Sequence, residues 1–302
     1  MKSMRIKQRE GLKLFFIALP FILLVTAFNY IPLFGWGYSF VDYRIGKDLV
    51  DMNFAGWKHF NKLFVEWKTI SRVLRNTFAM SLLSLATSPL PMFFAIMLNE
   101  IRTKKLKGIA QTVTTLPNFI SWIVVFGITF SLFSLNGGMT RLLTGIGINL
   151  GPAGILGNNE ATWFFQIGLQ IWKNLGWGAI IYLAAISGVD SAMYEAAEID
   201  GANKVQSIIH ITVPSILPTY FVLLLLSIGN ILSNGFEQFF VFYNSLVSDR
   251  IEVLDYYVFK IGMVAGDYSY SIVVGMLKSL ISITLLFIAN LVSKRIRGES
   301  LI

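Results

Sequence analysis

The chain has no cysteine, which excludes disulfides and thiolate metal sites and leaves the redox compartment open. Histidine is nearly as scarce, with only His59 and His210. The topology derived below puts these two on opposite sides of a membrane, so they can neither share a metal nor form a relay, and each reads as a surface or loop histidine. There is no Gly-x-x-x-x-Gly-Lys-Ser/Thr run. Gly46-Lys47 lacks both the upstream glycine and the following hydroxyl, so the chain is not expected to hydrolyse ATP by itself. Paired carboxylates within the apolar runs, the mark of a proton-coupled carrier, are missing too. No catalytic residue, metal site or resident cofactor is expected, and the chain is not an enzyme on its own. Charge is also sparse, at 14% of residues, where a soluble domain would carry about a quarter.

What fills the chain instead is apolar. Hydrophobic residues make up 55% of it, with 25 phenylalanines, and the mean hydropathy is +0.64. The solvent is therefore a bilayer. About 20 apolar residues cross its hydrocarbon core, which predicts six spans: 14–38, 76–98, 113–135, 163–186, 214–233 and 272–292. Pro20, Pro32, Pro89, Pro91 and Pro117 fall inside them and are tolerated in lipid when neighbours satisfy the freed carbonyls. Gly168, Gly176 and Gly178 suit the fourth span to close helix packing. The first span follows a basic leader (Lys2, Arg5, Lys7, Arg9), but it is too long for a signal peptide and no small-x-small cleavage site follows, so it is expected to be retained.

The net charge of +8 could suggest nucleic acid, but the basic residues cluster at the ends of apolar runs, as topology signals do. Arg102, Lys104, Lys105 and Lys107 fall in one loop and Lys294, Arg295 and Arg297 in the tail, so both termini, loop 99–112 and loop 187–213 are placed in the cytoplasm. The external loops 136–162 and 234–271 carry Arg141, Arg250 and Lys260 against Glu237, Asp249, Glu252, Asp255 and Asp267. External segment 39–75 departs from the rule with seven basic residues. In it Trp57, Phe60, Leu63, Phe64, Trp67, Ile70, Val73 and Leu74 recur at helical spacing, which predicts one amphipathic helix lying on the outer surface. The fold class is all-α: one transmembrane domain over 1–302, with six spans, this interfacial helix and a cytoplasmic helix in 187–213.

That cytoplasmic loop reads Glu195-Ala196-Ala197-Glu198-Ile199-Asp200-Gly201-Ala202, and then Val213-Pro214 after an eleven-residue gap to the proline. Asp190 or Ser191 can cap a first short helix, the alanines keep it slim, and Gly201 allows the turn that ends it. Three acids stand where the inside rule favours bases, so an ordinary amphipathic connector leaves them unexplained. The pattern resembles the EAA motif of the permease subunits of binding-protein-dependent ABC importers. The resemblance extends through Phe54-x-Gly56, Arg75-Asn76-Thr77, Trp172-Lys173, Gly235-Phe236-Glu237-Gln238, Val253-Leu254-Asp255-x-Tyr257-Val258 and Tyr268-Ser269-Tyr270 to the maltose-type, oligosaccharide branch.

The resemblance implies a bacterial cytoplasmic membrane protein. It further implies a second homologous permease, two ATP-binding cassette subunits that hold ATP and magnesium, an extracytoplasmic sugar-binding protein and an oligosaccharide substrate. It makes Glu195, Ala196, Ala197, Glu198, Asp200 and Gly201 the ATPase-docking residues. Sugar sites combine aromatic faces with amides and hydroxyls, so Gln170, Trp172, Asn174, Asn230, Ser233, Asn234, Glu237 and Gln238 are candidates for the substrate pathway. Each amide equally suits an interhelical hydrogen bond. Lys278 lies within the sixth span, where it either snorkels outward or faces the pathway and favours an acidic sugar. A self-contained carrier or channel is the other functional class, although internal repeats and mid-span acids are not visible. A scaffold or receptor would leave the acidic loop without a role.

Overall fold

The computed structural model describes residues 2–47, 52–148 and 151–297, with side chains from 13 to 291 among them. The basic leader and the basic C-terminal tail lie outside the residues whose side chains are described. Among the described residues the chain is helical apart from one isolated antiparallel bridge, Val41 to Phe54. Five helical stretches are long and apolar enough to cross a membrane, and a sixth candidate is a pair bent by 70°, Thr162–Ser187 with Ser191–Ile199. The chain divides into two compact units, Met1–Trp67 with Val258–Leu277, and Lys68–Tyr257 with Lys278–Ile302.

In the first unit, α1 (Lys2–Val25) runs on through a π turn and a 3-10 helix to Phe40, and its large apolar side chains from Leu14 to Phe34 are exposed apart from the half-buried Leu19, as suits lipid. The bridge follows, then α2 (Lys58–Val65). The single stripe predicted over 57–74 is divided at Glu66, whose φ of −93° and ψ of 21° end α2, and α3 (Trp67–Thr87) begins immediately after it. Trp57, Phe64 and Trp67 are exposed, whereas Ile70 and Val73 are fully buried, so the two halves of the stripe face different surroundings. His59 is buried rather than superficial. Its Nε2 lies 3.1 Å from Asp42 Oδ1, close enough for an ion pair, although not aligned as a hydrogen bond. Lys58 donates to the same carboxylate at 2.8 Å, and that bond holds the Asp42 carboxyl below its usual range. Lys62 pairs with Asp267 at 2.7 Å.

The second unit contains α3 beyond Trp67 and α4 (Leu90–Asn99), α5 (Lys104–Thr115), α6 (Trp122–Phe133), α7 (Gly138–Gly145), α8 (Thr162–Ser187), α9 (Ser191–Ile199), α10 (Lys204–Ser207) and α11 (Val213–Gly229). The short helices α12 (Glu237–Phe242), α13 (Ser248–Ile251) and α14 (Leu254–Phe259) follow, the last of them running two residues past this unit. The final helix, α15 (Tyr268–Arg297), supplies the C-terminal part from Lys278. Its core joins α4, α8 and α11 through Met92, Ile96, Ala179, Tyr182, Ile186 and Ile216. The Arg75-Asn76-Thr77 run is a clamp. Asn76 donates to the carbonyls of Asp249 (2.8 Å) and Glu252 (3.1 Å), Thr77 Oγ1 accepts from the Leu254 amide (2.8 Å), and Arg75 pairs with Asp249 (3.1 Å). Beside it, Arg72 pairs with the buried Glu252 at 2.6 Å.

Two predicted spans are corrected. Residues 113–135 do not form one helix: α5 ends at Thr115, Leu116–Phe119 is a 3-10 turn, and Ile120 and Ser121 are extended before Ser121 caps α6. Pro117 cannot continue the ladder, and the freed carbonyls are taken up by a residue far along the chain, described below. The fifth span starts not at Pro214 but at the Asn203 cap, because α10, a π turn (Ile208–Thr212) and α11 are continuous. The widened π turn accommodates Pro214, which lacks a donor. This span stops at Gly229, so Asn230, Ser233 and Asn234 lie in the turn that follows it.

Candidate functional site

The acidic loop is held by capping chemistry at each break. Asp190 is extended and accepts from the Ala192 amide at 2.9 Å, starting α9. At the other end Gly201 has a φ of +80°. Its amide donates to Glu198 (3.1 Å) and the Ala202 amide to Ala197 (2.8 Å), the paired bonds of a Schellman ending. Asn203 and Gln206 form a capping box that starts α10. The loop is tied down by Tyr194 Oη against Thr212 Oγ1 at 2.9 Å and by Lys204 to Glu100 at 2.9 Å. Glu195, Ala196, Glu198, Asp200 and Gly201 are exposed and Ala197 half-buried. Among the acids, Ile199 is 86% exposed, and Met193, Val205 and Ile209 are exposed as well. A polar knob thus carries unpartnered apolar side chains, which a purely electrostatic contact would not require.

A second feature lies between α3, α4, α8 and α11. Two cavities of about 240 and 180 Å3 share Ser84, Leu85 and Ser227. Gln170 and Asn174 line the larger, and Asn230, Ser233 and Asn234 line the smaller. Ser81, Ser84, Thr87, Ser88, Tyr182, Tyr220 and Ser227 complete the polar lining. None of these was singled out in the sequence, although 81, 84 and 88 follow helical spacing on an otherwise apolar run, a signal that was available. No charged side chain lines either cavity among the described residues.

Residues 87–298 match the model of a family described as "Binding-protein-dependent transport system inner membrane component". The chain belongs to this family. The polygalacturonan/rhamnogalacturonan transport system permease protein YteP of Bacillus subtilis (strain 168) is 35% identical to it over 99% of this chain and 93% of the relative. A crystal structure of a bacterial ABC transporter involved in the import of the acidic polysaccharide alginate contains a chain 31% identical, with a TM-score of 0.83, covering 98% of this chain and 100% of that one. In the bacterial alginate ABC transporter in complex with alginate pentasaccharide-bound periplasmic protein, a chain matches at 31% identity and a TM-score of 0.84 over 100% of both. The protein is thus a multi-pass membrane permease of the ABC importer class, with the EAA loop and coupling helix typical of it.

Within this permease the predicted pathway residues separate into two groups. Gln170, Asn174, Asn230, Ser233 and Asn234 line the cleft, while Trp172, Glu237, Gln238 and Lys278 do not. Gln238 is buried and acts as a helix tie, donating to Gln166 Oε1 at 2.7 Å and accepting from Gln170 at 2.9 Å. Asn234 donates to the Thr77 carbonyl at 3.0 Å, Asn230 to the Leu226 carbonyl at 3.1 Å, and Asn174 accepts from Asn118 at 3.1 Å. Each keeps further donor or acceptor capacity for a ligand. Trp172 and Glu237 are exposed elsewhere. Lys278 neither snorkels nor stands free: it pairs with Asp255, which also accepts from the Gly235 amide at 3.1 Å. Asp255 neutralises it and so explains how a cation persists in an apolar helix.

Proposed function

We propose that this permease forms one half of the translocation pathway of an ATP-driven oligosaccharide importer and docks an ATPase subunit through α9. Glu195, Glu198, Asp200 and Ile199 present the contact, Ala196 and Ala197 keep the helix narrow, and Gly201 ends it. A second homologous permease supplies the other half of the pathway. Two ATP-binding cassette subunits hold ATP and magnesium on the cytoplasmic side, where both termini of this chain also lie. An extracytoplasmic sugar-binding protein delivers the substrate. All catalysis belongs to the ATPases, and this chain contributes none. The single domain spans 1–302.

One observation carries the proposal: a helix capped at both ends, with three exposed acids and one almost fully exposed isoleucine, is fixed to the end of α8 and tied to the start of α11. Movement of that knob must move two walls of the cleft. The cleft residues Gln170, Asn174, Asn230, Ser233 and Asn234 offer amides and hydroxyls suited to sugar hydroxyls, and the relatives' names point to polygalacturonan, rhamnogalacturonan and the acidic polysaccharide alginate.

Proteoliposomes test the proposal. Complete complexes should take up oligosaccharide with the binding protein and ATP, and complexes lacking the ATPases should take up none. Uptake by this chain alone would establish a self-contained carrier instead.

A further inference from the structure

The break between α5 and α6 creates a specific chemical problem. Ile120 and Ser121 are extended; the Pro117 carbonyl keeps a 3-10 bond from the Ile120 amide at 3.2 Å, but those of Asn118 and Ile120 lose their helical partners inside an apolar stretch, where an unsatisfied carbonyl costs several kcal/mol. The solution comes from α8. Lys173, only 8% exposed, donates to the carbonyls of Pro117 (3.1 Å), Asn118 (2.6 Å) and Ile120 (2.6 Å). An ammonium has three donors and no acceptor, and three carbonyls stand in front of it. Its charge lies 5.6 Å from the centre of the Trp122 ring, at the start of α6. An ammonium in a membrane helix is expensive, and a neutral amide has only two donors.

The same face of α8 grips the break at three more points. Asn174 accepts from Asn118, Trp177 meets Phe119 edge-on at 5.7 Å, and Gly176 lies so close to the Thr114 carbonyl that a Cβ there would be 2.2 Å from its oxygen. Further along α8, Tyr182 lines the cleft, Ile186 enters the core, and the helix then turns through 70° into α9.

We infer that Lys173 is a positioning residue for transport: it fastens the 117–120 break to α8 so that break and helix move as one body, carrying displacement of α9 to the cleft wall at Asn174. The inference rests on α9 being the ATPase dock. Helix α8 is then a lever whose middle is stiffened by the clasp. Without the ammonium the break would slip along α8 and absorb the displacement.

The test uses the assembled complex in proteoliposomes. Lys173→Met removes all three donors at similar side-chain length. Sugar moved per ATP hydrolysed should fall at least tenfold while binding-protein-stimulated ATP hydrolysis persists. A residue that merely stabilises the fold would lower the amount of complex and leave sugar per ATP unchanged, which would overturn the inference. If Lys173→Met fails to assemble, a second variant decides. This chain has no cysteine, so Phe119→Cys with Trp177→Cys can be joined by a short bifunctional thiol reagent, with partner subunits freed of cysteine. Joined complexes should retain the uptake of the unjoined double variant, because the two sites never separate. Loss of uptake on joining would show that they do separate, and would overturn the inference. Wild-type complexes without ATP-driven uptake would instead refute the proposed function.

Discussion

Replacing Gly201 isolates the role of one backbone angle. Its φ of +80° lies where L side chains rarely go, and a Cβ built there meets nothing within 4 Å. A Cβ therefore creates no clash within this chain, and the strain it meets there is conformational. Forcing an ordinary residue into the left-handed region costs roughly 1–2 kcal/mol, while asparagine is tolerated. That energy is a factor of roughly 5–30 in the population of the correctly ended helix. Without the turn, the Schellman bonds from Gly201 and Ala202 to Glu198 and Ala197 are lost and Asp200 swings out of register with Glu195. Gly201→Val should reduce both ATPase retention on affinity-purified permease and ATP-driven uptake by about that factor. Gly201→Asn should stay within about twofold of wild type. Equal behaviour of the two variants, or wild-type uptake by Gly201→Val, would refute the backbone argument.

Three further outcomes follow from the same structure. Ile199→Asp should leave thermal stability unchanged, since Ile199 is 86% exposed, and should weaken ATPase co-purification; undiminished retention would show that the apolar contact is irrelevant. Lys278→Ala should destabilise the permease by less than the ~3–5 kcal/mol of a fully buried pair, because the partners are 23% and 16% exposed. Adding Asp255→Asn should recover part of that loss, and competition between acidic and neutral sugars should not change, as uptake assays with both can check. In the outer segment, the lowered pKa of Asp42 means its pairing contributes stability above the ordinary carboxylate pKa, lost as pH falls through the folded value. For Lys62, burial works to lower the pKa but is outweighed by Asp267 and Glu66, so its contribution is complete below the ordinary lysine pKa and lost only at higher pH. The stability advantage of wild type over Asp42→Asn should therefore be present at neutral pH and disappear as acid protonates the Asp42 carboxylate, as melting curves across the acid range can check.

Where a feature depends on neighbours in the chain, its residues could be read directly. Asp190 and Gly201 are local capping chemistry, so the docking helix and its ending were visible as residue types at fixed offsets, whereas the equally local Asn203–Gln206 box was not singled out. Long apolar runs likewise located the membrane helices approximately, with the third and fifth misplaced in their bounds. Features that depend on distant partners were not legible. The break in the third span needs Lys173, more than 50 residues further on. His59 is buried with Asp42 3.1 Å from its Nε2, and Lys278 stays inside because Asp255 neutralises it. The stripe over 57–74 failed for a different reason: periodicity does not register a one-residue break such as Glu66. Amides were read evenly as pathway candidates, and only packing separated Gln238, a helix tie, from Asn234, which borders the cleft.

The most direct measurement puts a single cysteine at Ile199 in the otherwise cysteine-free chain and asks from which side it reacts and what it touches. Labelling from the cytoplasmic side, suppressed when the ATP-binding subunits assemble, with a short cross-linker joining it to one of them, is the outcome expected. Labelling from the exterior, or reactivity indifferent to those subunits, would contradict it.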